Sequence, residues 1–320
     1  MIWSLYALLI GFCADLIIGD PHGLTHPVII MGREISFLEE RLRRVFPETA
    51  RGERTAGILL WSIMVVQTMV IPIILLWFCH GVSPYLRLAV ESIMCWQCIA
   101  AKSLKDESMK VFYALRNGDV LKARRAVSMI VGRDTANLDE LGITRAAVET
   151  VAENTSDGVI APMFYMALGG GPAGLFYKAV NTMDSMLGYI DPPFTNIGMF
   201  PARADDAANF VPSRISAVFM LVSGWFLRMD VRNGWRIFVR DRYNHASPNS
   251  AQTESVCAGL LGIRLAGDAY YHGILHKKAY IGDELREIEY NDIPRACGLL
   301  YVTSVLTLVV FFLIKFFIIV

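Results

Sequence analysis

Charge is scarce in this sequence. Only 19% of its 320 residues are Asp, Glu, Lys or Arg, and the 30 basic side chains are cancelled by 30 acidic ones. With no net positive charge, the chain lacks the electrostatic footprint of a nucleic-acid binder. Cysteines are few and scattered, at positions 13, 79, 95, 98, 257 and 297, mostly in apolar surroundings. That spacing excludes the disulfide framework of a small secreted domain. Cys95 and Cys98 form a C-x-x-C, but no second pair or nearby His accompanies them, so they read as buried thiols. A Walker-A pattern is missing, so any ATP has to bind outside a P-loop. Gly169, Gly171 and Gly174 formally satisfy G-x-G-x-x-G. The strand and ribose-binding acid that a dinucleotide fold needs are not there, and the run reads as a break between apolar helices.

What the chain has in quantity is hydrocarbon. Hydrophobic residues make up 54%, and the mean hydropathy is +0.42, well beyond an average soluble domain. Residues 2–19 read as a retained first helix rather than a signal peptide, with Asp15 turned to the protein interior. Gly19, Pro21, Gly23 and Pro27 read as a turn. Residues 33–46 alternate charge and hydrophobe at helical spacing, as an amphipathic interfacial helix does. Ile58–Phe78 carries no charge over 21 residues, enough to span a bilayer, with Pro72 as a kink and not a break. Residues 85–101 form a shorter apolar return carrying Arg87 and Glu91. A soluble helical hairpin follows from Lys102, turning at Asn117-Gly118-Asp119. Residues 159–177 and 211–228 are apolar, and Leu299–Val320 is a last span with Lys315 as its only charge. His272 and His276 stand four apart and read as a solvated helix face.

The polar residues gather between Ser128 and Arg214, in SMIVGRDT, VETVAENTSDGVIAP, YKAVNTMDSMLGY and ARADDAANFVPSR. Polar groups near bilayer depth are costly unless paired, hydrated or used. Glu149, Glu153 and Asp157 recur every fourth residue, so a helix would align them in one acidic column. Like charges at that spacing repel by roughly 0.2–0.5 kcal/mol per pair. Arg145 precedes Glu149 by one turn and is its expected partner, whereas Glu153 has only carboxylates one turn away. Hard oxygen ligands at Asp184, Asp205 and Asp206 suit Mg²⁺. Arg133, Lys178, Arg203 and Arg214 are the matching candidates for phosphate.

These clusters, with GDPHGLTHPVIIMG near the start and RDRYNHASPNSAQTESVCAGLLGIRLAG near the end, closely resemble the cobalamin-biosynthesis family known as CbiB or CobD. The resemblance implies an all-α, multi-pass membrane helical bundle with cytoplasmic helical loops, forming one domain over residues 1–320. It implies an ATP-dependent ligase that joins a propionate carboxylate of adenosylcobyric acid to aminopropanol, or its O-phosphate, as an amide. ATP and Mg²⁺ would be cofactors, and the corrinoid and amino alcohol would be substrates. Catalytic candidates are Glu153, Asn154, Asp157 and Asp134, with Asp20, His26, His245 and Asn249 as a second tier. Two other readings stay open: a transporter or sensor using Asp15 and Glu91, and a Mg²⁺-dependent membrane phosphotransferase. Lys and Arg are rich in 20–55, 102–156 and 229–298, which places those loops on the cytoplasmic side of the cell membrane. ATP chemistry needs the active site on that side too, so 159–177 and 211–228 are expected to enter or line the membrane core without fully separating the clusters.

Overall fold

The structure is a computed structural model describing residues 2–21, 23, 26–189, 192–271 and 273–319. In chain order it runs α1 (Ile2–Ile18), α2 (Pro27–Val45), α3 (Ala50–Val82), α4 (Pro84–Trp96), α5 (Ala101–Arg116) and α6 (Val120–Ser128). Next come α7 (Glu140–Asn154), a π-helical turn (Thr155–Ile160), α8 (Ala161–Leu187), α9 (Met199–Phe226), α10 (Val231–Asp241) and α11 (Ser250–Leu261). Four short strands, β1 (Leu265–Ala266), β2 (Ala269–Tyr271), β3 (Ile274–His276) and β4 (Tyr280–Ile281), precede α12 (Asp292–Ile319). Among the described residues, Ala50–Val82, Glu140–Leu187 and Asp292–Ile318 are long and apolar enough to cross a membrane. On α3 the exposed side chains include Val66, Ile71, Ile74, Trp77 and Phe78, an apolar surface far more suited to lipid than to water.

The chain divides into two compact units. One comprises residues 1–100, 161–209 and 311–320. In it α1 packs on α4 and α8, and α3 packs on α2, α4 and α8, around Leu5, Leu8, Leu60, Met64, Met163 and Tyr177. Asp15 is fully buried, as its apolar setting requires, and Cys95 and Cys98 are buried free thiols. The glycine run breaks α8 as expected: Gly170 has φ 70° and ψ −162°. A Cβ there would also lie 2.2 Å from Glu91 Oε1, so only glycine fits.

The second unit comprises residues 101–160 and 210–310. Here α7 packs on α5, α6, α11 and β1, while α10 packs on α11. The turn at Asn117-Gly118-Asp119 is present, with Asp119 accepting from Lys122 N at 2.9 Å as the α6 N-cap. Helices α10 and α11 approach closely at Gly259, where a Cβ would meet Gly234 Cα at 2.7 Å. All twelve residues of α11 are buried.

Several expectations need correcting. Pro27 does not break a helix but starts one: it is the first residue of α2, capped by His26, whose Nδ1 accepts from Val28 N at 3.2 Å. Proline at that position has no amide hydrogen to leave unpaired. The return at 85–101 is α4, 13 residues long, about 20 Å and short of a bilayer. The fold is predominantly helical, in keeping with the expected all-α class, and the small strands add only two antiparallel pairs, β1 with β4 and β2 with β3. His276 lies on β3 and not on a helix, while His272 falls outside the described residues.

Candidate functional site

In the first unit, polar side chains from α8 and α9 form one network. Tyr177 Oη donates to Asn209 Oδ1 at 2.8 Å, and Asn209 Nδ2 donates to Asp205 Oδ2 at 3.0 Å. Asn181 Nδ2 reaches the other oxygen, Asp205 Oδ1, at 3.4 Å. Tyr165 stacks on Tyr177 with ring centroids 5.2 Å apart. Asp205 and Asn209 sit one helical turn apart and are buried (7% and 1% exposed). Lys178, Asn181 and Asp184 follow at intervals of three on α8, all half-buried. Asp20 joins them through His26, whose Nε2 is 3.7 Å from Asp20 Oδ1. Burial lowers the His26 pKa, Asp20 opposes that, and Lys178 adds to it. His26 is therefore biased toward the neutral imidazole beside a cation.

The second unit holds a carboxylate cluster where α7 meets α11. Glu149 is almost fully buried, ion-paired with Arg133 and accepting from Ala266 N at 2.6 Å. Ala266 has φ 58°, a strained left-handed conformation for a residue with a side chain, so Glu149 fastens a costly bend. One turn on, Glu153 accepts from Ser250 Oγ at 2.8 Å. Glu254 lies one turn beyond Ser250 on α11 and is only 4% exposed. Burial raises its pKa well above the ordinary carboxylate value; Glu153 and Glu149 raise it further, and Arg133 and Lys278 oppose. His245 Nδ1 accepts from Ser247 N at 3.1 Å, which leaves the proton on Nε2. Burial lowers its pKa, against the pull of Glu153. His245 is then a neutral donor and not a ready base.

The structure brings some of the expected residues together and separates others. Glu149 pairs with Arg133 and not with Arg145, and this engages Arg133, a phosphate candidate, in an internal pair. Burial opposes ionisation of Arg133, but Glu149, helped by Tyr271 and Glu254, outweighs it and raises its pKa. Asp134 anchors the β2–β3 hairpin: its amide donates to Tyr270 O at 2.8 Å and its Oδ2 accepts from Gly273 N at 2.7 Å. Asn154 donates to Thr150 O on its own helix at 3.0 Å. Arg214 Nη1 donates to Asn249 Oδ1 at 2.9 Å and to Phe210 O at 2.7 Å.

The acidic column stops at two members, because α7 ends at Asn154 and Asp157 rides on the π-helical turn. That turn changes the register by a residue, a feature frequent at functional sites. Asp205 is buried while Arg203 is exposed, since residues two apart point to different helix faces. Asp206 is half-buried. No group of three or more His, Cys, Asp or Glu side chains suited to a metal occurs among the described residues, so Asp184, Asp205 and Asp206 form no protein-only cage. The residues that sequence reasoning missed are Glu254, Ser250, Lys278 and Tyr177. Glu254 had one signal: it is the lone carboxylate of SAQTESVCAGLL, with no basic residue anywhere in that stretch.

The family described as CobD/Cbib protein matches residues 8–300. A protein of Clostridium perfringens named cobalamin biosynthesis protein CobD is 44% identical over 308 residues, covering 96% of this chain and 97% of that protein. One of Photorhabdus laumondii with the same name is 40% identical over 312 residues, covering 98% of each. A Salmonella choleraesuis protein named cobalamin biosynthesis protein CbiB is 41% identical over 302 residues, covering 94% of each. No solved structure matches the chain.

Proposed function

The chain belongs to the CobD/Cbib family, and from that premise we propose that it is a membrane-bound, ATP-dependent ligase of cobalamin biosynthesis. It joins a carboxylate of adenosylcobyric acid to aminopropanol or aminopropanol O-phosphate. The observation that carries this reading is the pairing of two chemistries in one apolar chain. One unit holds Lys178 among amides and carboxylates, and the other holds Glu153 and Glu254, which form no ion pair among the described residues.

A carboxylate is a poor acyl donor, since its charge and resonance repel an amine. ATP would convert it to an acyl phosphate, which the amine attacks, releasing phosphate and leaving ADP. Lys178 would bind phosphoryl oxygens and stabilise the charge that develops on them. Mg²⁺ supplied with ATP needs only one or two carboxylates, because phosphates and water complete its shell. Asp184 and Asp206 fit that role, with Asp205 held in place by Asn181 and Asn209. The chemistry such a metal would supply there is neutralisation of phosphate charge. Glu153, which Ser250 orients, would take a proton from the substrate ammonium, freeing the amine lone pair for attack. The active site would face the cytoplasm, where ATP is available.

The test is phosphate release by the purified full-length protein in detergent. Release should require both the corrinoid and the amine, and mass spectrometry should find the amide with one of the two amines. Release with the amino alcohol alone would instead indicate a phosphotransferase.

A further inference from the structure

Four charged or polar side chains converge where the start of α11 meets the end of α7. Glu149 and Glu153 lie one turn apart on α7, and Ser250 and Glu254 lie one turn apart on α11. The Ser250–Glu153 hydrogen bond, 2.8 Å long, ties the two ladders together. Arg133 is matched by Glu149. Lys278 Nζ is held by Tyr271 Oη at 2.8 Å. His245 is biased toward the neutral form. Neither Glu153 nor Glu254 has an ion-pair partner among the described residues.

Glu254 is the independent observation. Its helix is buried on every side, it is itself 4% exposed, and among the described residues it makes no hydrogen bond or ion pair. Its electrostatic neighbours are Glu153, Glu149, Arg133 and Lys278. A buried carboxylate so placed is costly to keep, and it is the only ionisable side chain of this helix apart from the Cys257 thiol. Glu153 is half-buried, which leaves the pair a route to solvent.

We propose that Glu254 and Glu153 together form the subsite for a primary ammonium group. Ser250 fixes the Glu153 carboxylate, and the His245 imidazole donates from Nε2 to the adjoining oxygen of the ligand. In the ligase reading, on which the identity of the ligand rests, this ammonium is the amine end of the amino alcohol. A cation between two carboxylates relieves their mutual repulsion and lets both ionise. A neutral diol of the same shape has no such effect.

The experiment is calorimetric titration of the full-length protein in detergent with 1-amino-2-propanol and with propane-1,2-diol, without ATP or corrinoid. The amine should bind and the diol should not, and Glu254→Gln should weaken amine binding at least tenfold. Wild type that binds neither compound, or both equally, overturns the proposal, as does a Glu254→Gln protein with wild-type affinity. Thermal unfolding of the variant alongside shows that it is folded. If the amine binds as stated but no amide is ever formed, the ligase reading fails and the ammonium subsite stands.

Discussion

Glu149 and Glu153 are the same residue type, one turn apart on one helix, yet they meet opposite surroundings. At the Glu149 end, α7 faces β1 and the segment carrying Arg133, which supply a guanidinium and a backbone N–H. Both carboxylate oxygens are satisfied, and the strained bend at Ala266 is fastened. At the Glu153 end, α7 faces the start of α11, which supplies a hydroxyl and a second carboxylate. The first arrangement is complete without a ligand. The second is not, and a helix-period pattern alone does not distinguish the two. What separates structure from site here is the partner element, not the residue.

The sharpest way to break this comparison is to remove the satisfied member. Glu149→Ala leaves Arg133, with its side chain 18% exposed, without its counter-charge and Ala266 N without an acceptor. Breaking a buried pair from one side costs about 3–5 kcal/mol. Denaturant unfolding in detergent should show that loss. A loss below about 1 kcal/mol, the range of exposed pairs, would mean that Glu149 is not structural.

Glu254→Gln should have the opposite sign. The Glu254 pKa is raised from 4.5, so the folded state holds a proton that the unfolded state releases. Stability is then present in full below pH 4.5 and is lost as pH rises toward the shifted value, with a slope of up to about 1.4 kcal/mol per pH unit. Glutamine does not titrate, so the variant should gain on wild type as pH rises from 5 toward the shifted value. Parallel melting curves across that range would contradict the buried, unmatched carboxylate.

The long elements were legible because hydropathy and length determine them locally. Ile58–Phe78 has no charge to place anywhere but outside a lipid core, and it lies inside α3. The α5–α6 turn was legible for the same reason, since Asn117-Gly118-Asp119 holds a stop and a cap in three residues. The small strands were not legible. Two or three residues give no period, and their pairing depends on distant groups. Glu149 binds Ala266 N, and Asp241 Oδ2 accepts from Gly282 N at 2.8 Å across 41 residues. The candidate site was half legible. Glu153 stood out for its missing partner, but the Ser250 that meets it is 97 residues away. Arg145 was the expected partner of Glu149 because sequence shows only the neighbours on the same helix.

A smaller effect is expected at Asp134, which belongs with Glu149 on the structural side. Asp134→Ala removes the acceptor for Gly273 N, and an unmet hydrogen bond at a partly open hairpin costs about 1 kcal/mol. Hydrogen exchange at Tyr270, Tyr271 and Ile274 should accelerate, while amide formation continues at saturating substrates. A complete loss of amide formation in a folded variant would return Asp134 to the catalytic group.

The smallest effect sharpens the comparison most finely, because it asks which arginine Glu149 uses. Arg145 lies one turn before Glu149 on the same helix and is half-buried. Its Nε has no hydrogen-bond partner among the described residues, while Arg133 makes the ion pair from the segment before α7. Helix spacing favours Arg145 by proximity, but an i, i+4 pair contributes only about 0.3–0.5 kcal/mol. The Arg133 pair is more buried, and Glu149 is held from its other side by Ala266 N. Arg145→Gln should therefore change stability by no more than about 0.5 kcal/mol and should add independently to Glu149→Gln. Arg133→Gln and Glu149→Gln should instead couple strongly, the double mutant losing less than the two single losses together, because the second change removes a charge that the first had orphaned. Denaturant unfolding of the three single and two double variants measures both cycles. Coupling at Arg145 and none at Arg133 would show that the helix-local pair governs, and the contrast between the two ends of α7 would lose its physical basis.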